Sequence, residues 1–385
     1  MIRIDLPTAD GDAKPYRLSG LSTDLTQAPP PQSRVAYAAV HVIADARRAS
    51  IPEHTRCIDW EGTLRQRSRI WDLGLGVAEA MDTAQRGMGL PWSDVHRLVR
   101  MTLEAAKPRG ASTVVGIGTD ALPPGPTGIE RIVDAYLEEL DFVEGLGGTA
   151  VMMPSRQLAA TATTPEHYVK VYDAVLADAR RPVILHWLGE QFDPCLKGYW
   201  GINDPAEAVD TVAEIVRSRP DVVDGIKMSV LDPALEEEIR GRLHGEQRVY
   251  TGDDFHYVDL IGGTARGHSH ALLGAFAAIA PIARLALGHL DDGDLLGYRR
   301  TLGPTEQLSR LLFEAPTQYY KTGIAWIAYL QGYQDHFRML AGLEAGRSVV
   351  HLAELFKEAD TIGLFTDPSE AARRMQRYLT LHGMA

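Results

Sequence analysis

Short apolar runs rich in β-branched residues recur along the chain, and longer amphipathic stretches fill most of the spaces between them. The short runs have the length of buried strands, whereas the longer stretches repeat their apolar residues with the period of a helix. The runs begin at Val35, Val77, Thr113, Thr149, Pro182, Asp221, Arg248 and, most weakly, Ala265. Strands that alternate with helices in this way predict a parallel sheet.

The number of runs favours a closed (β/α)8 TIM barrel, because eight strands is the number that this barrel requires. Helix starts are also marked: Thr164 and Asp204 can cap free N–H groups, and each precedes a proline at a first helical position. An open, doubly wound sheet shows the same alternation and is the alternative. No glycine-rich dinucleotide-binding motif follows the first strand.

The same pattern divides the chain into three parts. Residues 1–34 end in a proline-rich stretch that cannot form a central strand, so they are interpreted as an N-terminal arm. Residues 35–304 hold the strand–helix alternation of the α/β barrel. Residues 305–385 contain only amphipathic helical segments and are predicted to form a C-terminal helical extension.

Composition narrows the functional classes. The chain is 45% hydrophobic and 23% charged, and no apolar run approaches the length that crosses a bilayer, which predicts a protein with no membrane partner. A net charge of −12 without a long basic cluster argues against a nucleic-acid partner. The N-terminus lacks the pattern of a secretory signal, so a cytoplasmic location is expected, where Cys57 and Cys195 stay as free thiols.

Lys227 is the main candidate for catalysis. It closes a predicted strand, and side chains at the carboxyl ends of barrel strands reach the catalytic mouth. A barrel interior disfavours the charged ammonium, which lowers the pKa and makes the neutral amine available to attack a carbonyl. The alternative interpretation is a lysine that pairs with a carboxylate at the barrel rim.

Lys227 ends the triplet Gly225-Ile226-Lys227, and the next predicted strand leads into Thr251-Gly252-Asp253-Asp254. In order and spacing these motifs resemble the dihydrodipicolinate synthase and N-acetylneuraminate lyase superfamily of lysine-dependent aldolases, over roughly residues 35–330. The resemblance implies a barrel lyase that forms a covalent imine through Lys227 with a small-molecule carbonyl substrate and needs no other cofactor. Barrels of this kind commonly associate, so a homo-oligomer is expected.

Other site residues follow from the resemblance position by position. The proton-relay tyrosine of the family falls on His186, whose imidazole can still move protons near neutral pH. The loop that binds the carboxylate of a 2-oxo acid corresponds to Asp82, Thr83, Ala84 and Gln85. Because Asp82 would repel a carboxylate, the loop favours a keto-sugar over an unmodified 2-oxo acid. Asp253 and Asp254 are expected to bind polar groups or to support the mouth.

Further polar residues are predicted near the mouth. His41 closes the first strand, and His270 lies in the eighth; both are candidate substrate contacts. The potential metal ligands near the mouth are numerous and suggest a divalent metal site, which makes a metal-dependent sugar lyase or isomerase the main alternative. Besides His41 and His270 they are Asp45, Asp59, Glu61, His186, Asp253, Asp254, His256 and His268. A noncatalytic sugar-binding protein is the second alternative. The long aromatic loop 189–203 is expected either to cover the mouth or to form a surface or subunit contact.

Overall fold

The computed structural model describes residues 2–23, 29–51 and 56–384. Two short strands, β1 (Arg3–Pro7) and β2 (Ala13–Arg17), pair as an antiparallel hairpin in the N-terminal arm. Eight parallel strands then close into a barrel. They are β3 (Ala36–Ala39), β4 (Gly76–Glu79), β5 (Thr113–Ile117), β6 (Thr149–Met152), β7 (Val183–Leu188), β8 (Val223–Ser229), β9 (Arg248–Thr251) and β10 (His270–Leu273).

Closure of the sheet confirms the (β/α)8 barrel with its C-terminal helical region, and the open-sheet alternative is wrong. Strand β10 pairs in parallel with β3, which places Ala271 opposite Ala36 and leaves the barrel strands without an unpaired edge. The strands lie within the predicted runs, apart from one-residue extensions at three ends, Gly76, Leu188 and Ser229. The weakest run shows the largest difference, because β10 begins at His270 rather than at Ala265.

Fourteen α-helices occur among the described residues. They are α1 (Trp60–Asp72), α2 (Trp92–Ala106), α3 (Ile129–Gly145), α4 (Arg156–Thr161), α5 (Pro165–Asp178), α6 (Pro205–Ser218), α7 (Pro233–Arg242), α8 (Tyr257–Gly262), α9 (Ala275–Asp291), α10 (Leu295–Leu302), α11 (Thr305–Leu312), α12 (Tyr320–Leu330), α13 (Val349–Thr361) and α14 (Pro368–Leu381). Short 3-10 helices lie at Asp82–Ala84, Lys107–Arg109, Pro194–Leu196, Tyr199–Gly201, Thr317–Tyr319 and Leu340–Gly346. Asp204 caps α6 as predicted, whereas the Thr164 side chain makes no capping bond to α5.

Alternating strand positions build two hydrophobic layers. Inward residues such as Val151, Ile184 and Leu272 fill the barrel interior, while their neighbours pack outward against the helices. At Gly225 a Cβ atom would overlap the backbone of Arg248, so glycine lets β8 and β9 approach closely at that point. The next inward position after Gly225 on β8 is Lys227.

The C-terminal extension packs tightly against the barrel rather than extending from it. Every residue of α12 is buried, and α12 contacts α9 on one side and α13 and α14 on the other. The N-terminal hairpin packs onto α13, where the Tyr16 hydroxyl donates a hydrogen bond of 2.8 Å to the Asp360 carboxylate. The start of α12 lies against the 3-10 turn Asp82–Ala84 at the barrel mouth. Within the described ranges, no helix has both the length and the apolar character needed to cross a membrane.

A buried ion pair joins β4 to α1. Glu79 and Arg67 have no exposed side-chain surface, and the guanidinium donates two hydrogen bonds of 2.8 Å to the carboxylate. Thr102 and the backbone N–H of Ala80 also donate to Glu79, and Arg67 donates to the His41 carbonyl. Both charged groups are therefore hydrogen-bonded in the interior. Removal of one of them leaves the other buried without a counter-charge.

We expect Arg67→Met to lower the free energy of unfolding by about 3–5 kcal/mol, because the Glu79 carboxylate loses its counter-charge in the interior. The double variant Arg67→Met/Glu79→Leu is expected to be more stable than the single variant, since no isolated charge stays buried. Urea denaturation followed by circular dichroism measures both. A single variant as stable as the double would contradict this account.

Candidate active site

Lys227 lies inside the barrel near the carboxyl end of β8. Its side chain is 7% exposed, and Ile226 and Met228 on either side of it face the outer layer. A Cβ atom at Gly252 on the neighbouring segment would lie 2.8 Å from Lys227 Cε. Glycine at position 252 therefore provides the space through which the lysine side chain extends toward the mouth.

The Lys227 side chain reaches a narrow pocket at the barrel mouth. The pocket combines carboxyl and hydroxyl groups with an apolar wall, and the free space between its side chains is about 10 Å³, roughly the volume that one water molecule requires. Its lining residues are Ala39, Met81, Asp82, Thr83, Leu188, Phe192, Lys227, Ser229, Asp254, Gly274 and Tyr320. A substrate larger than water must displace part of this lining.

Burial shifts the proton equilibria of two groups in the pocket. Burial lowers the pKa of Lys227, and the negative charges of Asp82 and Asp254 oppose this shift. Burial also raises the pKa of Asp254 to about 8, although the carboxylate accepts a hydrogen bond of 3.0 Å from the Ala275 N–H. The state in which the Lys227 amine and the Asp254 carboxyl group are both neutral is therefore more populated near pH 7 than it would be in water.

Two residues with hydroxyl groups, Thr83 and Tyr320, also line the pocket. Thr83 and Tyr320 share a hydrogen bond of 2.8 Å, and Gly274 leaves room for the tyrosine ring, since a Cβ there would lie 2.9 Å from Tyr320 Cε2. Burial raises the pKa of Tyr320 well above its usual value, so its hydroxyl stays protonated near neutral pH. The sequence pattern missed Tyr320, because it begins a helix of the extension rather than ending a strand.

His186 lies behind the pocket. It pairs with Lys227 across β7 and β8, and its Nε2 lies 3.1 Å from the Ser229 hydroxyl. Burial is the largest cause that lowers the His186 pKa, and the Lys227 charge adds to it, so the ring is neutral near pH 7. Ser229, a second residue that the sequence analysis missed, lines the pocket in its place. A proton shuttle by His186 stays a prediction, because Ser229 and Lys227 line the pocket and His186 does not.

Two residues of the predicted substrate loop point elsewhere. The 3-10 turn Asp82–Ala84 rotates successive side chains, so Asp82 and Thr83 line the pocket while Ala84 packs in the outer core. The Gln85 side-chain amide donates a hydrogen bond of 2.9 Å to the Leu340 carbonyl. The structure therefore places Ala84 and Gln85 outside the pocket, and their predicted contact with substrate is not retained.

The structure also places both candidate histidines outside the pocket. His41 Nε2 lies 2.7 Å from Gln334 Oε1, and burial lowers its pKa to about 4. His270 is the first residue of β10, so it lies at the opposite end of the barrel from the mouth, where its Nδ1 accepts a hydrogen bond of 2.9 Å from the Val35 N–H. The prediction for His270 is corrected because β10 begins at this residue, which therefore lies at the start of the strand and not at its mouth end.

The two aspartates after β9 have different environments. Asp254 lines the pocket, whereas Asp253 accepts hydrogen bonds of 2.8 and 3.1 Å from the N–H groups of Phe255 and His256. These bonds stabilise the turn that leads into α8. The geometry is consistent with Asp253 supporting the mouth and with Asp254 contacting a bound molecule.

The candidate metal ligands do not converge. Within residues 2–23, 29–51 and 56–384, no group of three or more His, Cys, Asp or Glu side chains is arranged to hold a metal ion. Asp59 caps α1, Glu61 pairs with Arg65 on the helix surface, and His256 bonds to Asp253. The residues from which a metal site was predicted thus fit other roles.

The loop between β7 and α6 both covers the pocket and packs against the barrel. Phe192 lines the pocket and packs edge-on against Tyr320, with the ring centroids 6.1 Å apart. Tyr199 and Trp200 are instead buried against the rings of α5, such as Tyr168. The first half of the loop thus covers the pocket, as one alternative predicted, whereas Tyr199 and Trp200 pack inside the chain rather than forming the surface or subunit contact of the other alternative.

The fold and the pocket define a class: a (β/α)8 barrel with a buried lysine on its sixth strand, facing hydroxyl and carboxyl groups at the mouth. The chain belongs to the family described as "Protein of unknown function (DUF993)", whose model matches residues 4–384. A comparison with curated proteins finds no significant match.

Solved structures show the same fold at low sequence identity. A prophage protein of the dihydrodipicolinic acid synthase family from E. coli K12 is 16% identical, with a TM-score of 0.62 over 92% of this chain and 99% of that one. The 4-hydroxy-tetrahydrodipicolinate synthase from Methylacidiphilum fumariolicum SolV is 16% identical, with a TM-score of 0.60 over 86% and 98%. A dihydrodipicolinate synthase from Thermotoga maritima is 14% identical, with a TM-score of 0.58 over 92% and 100%. The resemblance stated from the sequence motifs is confirmed at the level of the fold.

The reactivity of Lys227 should reflect its environment. Cyanate modifies only neutral amines, so we expect carbamylation of Lys227 to begin at lower pH than that of a free lysine, whose pKa is about 10.4. Asp254→Asn removes a negative charge that favours the ammonium and should shift the midpoint for Lys227 to still lower pH. Peptide mass spectrometry between about pH 5 and 10 measures both midpoints.

The matched control is Asp259→Asn, which changes an exposed aspartate on α8 that pairs with Arg299. It should leave the midpoint of Lys227 unchanged. A midpoint at or above that of a free lysine, or an upward shift in Asp254→Asn, would contradict the assignment.

Proposed function

We propose that this protein is a lyase that forms a Schiff base between Lys227 and the carbonyl group of a small substrate. The observation that carries the proposal is the buried Lys227 amine, which faces a pocket and has a lowered pKa. Fold similarity to dihydrodipicolinate synthases supports an aldolase-type reaction, and the E. coli relative is described in complex with pyruvate, a carbonyl compound. The proposed reaction uses no cofactor, because the imine formed by Lys227 itself is the reactive group.

In the proposed reaction, the neutral Lys227 amine adds to the substrate carbonyl carbon. The resulting carbinolamine loses water to give a protonated imine, which withdraws electrons from the adjacent carbon. In carbon–carbon cleavage, a base takes the proton of the hydroxyl on the next carbon, the bond from that carbon to the adjacent one breaks, its electron pair moves into the imine to give an enamine, and the released fragment leaves as a carbonyl compound. In carbon–oxygen cleavage, a base instead removes a proton from the adjacent carbon to give the enamine, which then expels the hydroxyl group of the next carbon as water with a proton from an acid. Protonation and hydrolysis release the product and regenerate the amine. The reverse sequence builds the same bond.

The pocket supplies groups that can move the protons of this cycle. Tyr320 is a protonated hydroxyl whose hydrogen bond to Thr83 fixes its orientation. Asp254, with a pKa of about 8, can exchange a proton with Lys227 or with the departing water near neutral pH. Ser229, hydrogen-bonded to neutral His186, presents a further hydroxyl on the same face. We assign acid–base catalysis to Tyr320 and Asp254 and the positioning of Ser229 to His186.

The charges in the pocket favour a particular substrate class. Asp82 lines the pocket beside Thr83, and its negative charge would repel a carboxylate held next to the reacting carbonyl. Carboxylates accept hydrogen bonds from sugar hydroxyls, and the hydroxyl of Thr83 can add another bond. We therefore propose a keto-sugar, or a 2-oxo acid derivative that carries hydroxyl groups near its carbonyl. Displacement of Phe192 would open the space that such a molecule needs.

Borohydride reduction tests the imine directly. Treatment with a panel of keto-sugars and 2-oxo acids should trap an adduct on Lys227 of the wild-type protein and none on Lys227→Ala. Lys321→Met is the matched control, because Lys321 is also buried and burial lowers its pKa to about 8, yet it does not line the pocket. Intact-mass and peptide mass spectrometry locate the adduct. The absence of an adduct across the panel, or an adduct lost in Lys321→Met instead, would refute the assignment.

Tyr320→Phe separates proton transfer from imine formation. With the carbonyl compound that forms the adduct, we expect turnover to fall by about 10²–10⁴-fold, the usual contribution of a general acid or base, while the trapped imine persists. Tyr319→Phe changes the preceding tyrosine, which does not line the pocket, and should stay within about twofold of wild type. Steady-state kinetics measure turnover. Full activity in Tyr320→Phe would remove it from the mechanism.

A further inference from the structure

The C-terminal extension contains a second and much larger cavity. Its volume is about 770 Å³, which is within the usual range of small-molecule sites, and its walls come entirely from residues 329–382. The lining residues are Tyr329, Asp335, His336, Phe337, Arg338, Glu344, Ala345, Arg347, Ser348, Val349, Arg377, Tyr378, Leu381 and His382. Because none of them belongs to the Lys227 pocket, the cavity needs an explanation that does not depend on the proposed reaction.

Aromatic rings form the apolar part of this cavity. Phe337 and Tyr378 pack edge to face with centroids 5.7 Å apart, Tyr329 lies nearly parallel to Phe337, and His382 lies 4.2 Å from the Tyr378 ring. At the edge, Leu381 is 84% exposed, although it is a large apolar side chain. Such a surface binds flat or branched apolar groups by removing them from water.

The other walls carry positive charge. Arg338 is paired with Glu344 at 2.8 Å, and Arg347 donates to carbonyl groups such as that of Glu314. Arg377 differs from both, because no carboxylate in the described part of the chain pairs with it. The N-terminal end of α13, where Ser348 caps the helix, adds the positive end of the helix dipole. Asp335 adds a second carboxylate to the lining beside Glu344, so the three arginines give the cavity a small net positive charge in a protein whose net charge is −12.

We propose that this cavity is a binding site for a small amphipathic anion, with an aromatic or other apolar body and a carboxylate, sulfonate or phosphate group. The apolar body would pack on Phe337, Tyr378 and Leu381, and the anionic group would pair with Arg377. A nucleic acid is a poorer match, because Arg377 is the one arginine of the lining that no carboxylate of the described residues pairs with, and the protein as a whole has a net charge of −12. The site is separate from the barrel mouth, so a bound anion would act on the extension rather than on Lys227 directly.

The test uses the full-length chain and 8-anilinonaphthalene-1-sulfonate, a fluorescent anion with an apolar aromatic body. We expect one saturable site. Arg377→Ala and Leu381→Asp should each weaken binding by about tenfold, because the first removes a charge-assisted hydrogen bond and the second places a negative charge beside the anion. Both side chains are exposed, so neither change should impair folding.

Arg373→Ala is the matched control. Arg373 lies one turn before Arg377 on α14, is paired with Glu370 and does not line the cavity. Its loss should leave the probe affinity within about twofold of wild type. Equal affinity in all variants, or fluorescence that does not saturate, would overturn the proposal.

Sedimentation of the same proteins tests the competing occupant, a second copy of the chain. If wild type forms an oligomer that Leu381→Asp dissociates, and the probe binds only the dissociated protein, then the cavity is a subunit contact and the proposal fails. Unchanged sedimentation together with weakened probe binding in Leu381→Asp would support the proposal. Neither result changes the expected borohydride trapping at Lys227, so the anion site and the proposed imine are tested separately.

Discussion

The structure depends on one constraint, the burial of an amine inside the barrel. Lys227 projects from β8 into a space where its charge is poorly solvated, and Asp82 and Asp254 compensate for only part of that loss. Asp254 is itself buried enough to raise its pKa to about 8. The charged and neutral forms of the Lys227–Asp254 pair are therefore closer in free energy than they are in water. Strand register, the glycine at position 252 and the hydroxyl groups around the pocket all serve to hold the amine in this state.

The C-terminal extension completes the mouth of the barrel. Helix α12 is buried along its whole length between α9 and the last two helices, and its first residue, Tyr320, bonds to Thr83 from a position 237 residues away in sequence. Phe192 packs against the same tyrosine from the loop after β7. The pocket is therefore assembled from the ends of several barrel strands, the loops that follow strands, and a helix of the extension. The extension also forms the cationic, aromatic cavity that we propose as a separate anion site.

His186 is a neutral imidazole next to the candidate catalytic lysine, although it does not line the pocket. The ring is fully buried beside Lys227, so a second positive charge there would be costly, and burial keeps its pKa well below the usual value. Its bond to Ser229 gives the ring a defined orientation and places a hydroxyl at the pocket surface. In the proposed mechanism the acid–base groups Tyr320 and Asp254 lie in the mouth, while His186 orients the Ser229 hydroxyl from behind.

The sequence by itself determined the eight strands, the helices between them and the candidacy of Lys227, because these follow from local periodicity and from the position of a polar residue in an apolar run. It also indicated Asp82, Thr83 and Asp254, which follow strand ends and reach the pocket. Only the tertiary structure decided the rest. Tyr320 joins the site through helix packing, Gln85 is turned away by a 3-10 turn, and His270 lies at the wrong end of its strand. These outcomes depend on strand boundaries, turn rotation and long-range packing, none of which is encoded in the spacing of nearby residues.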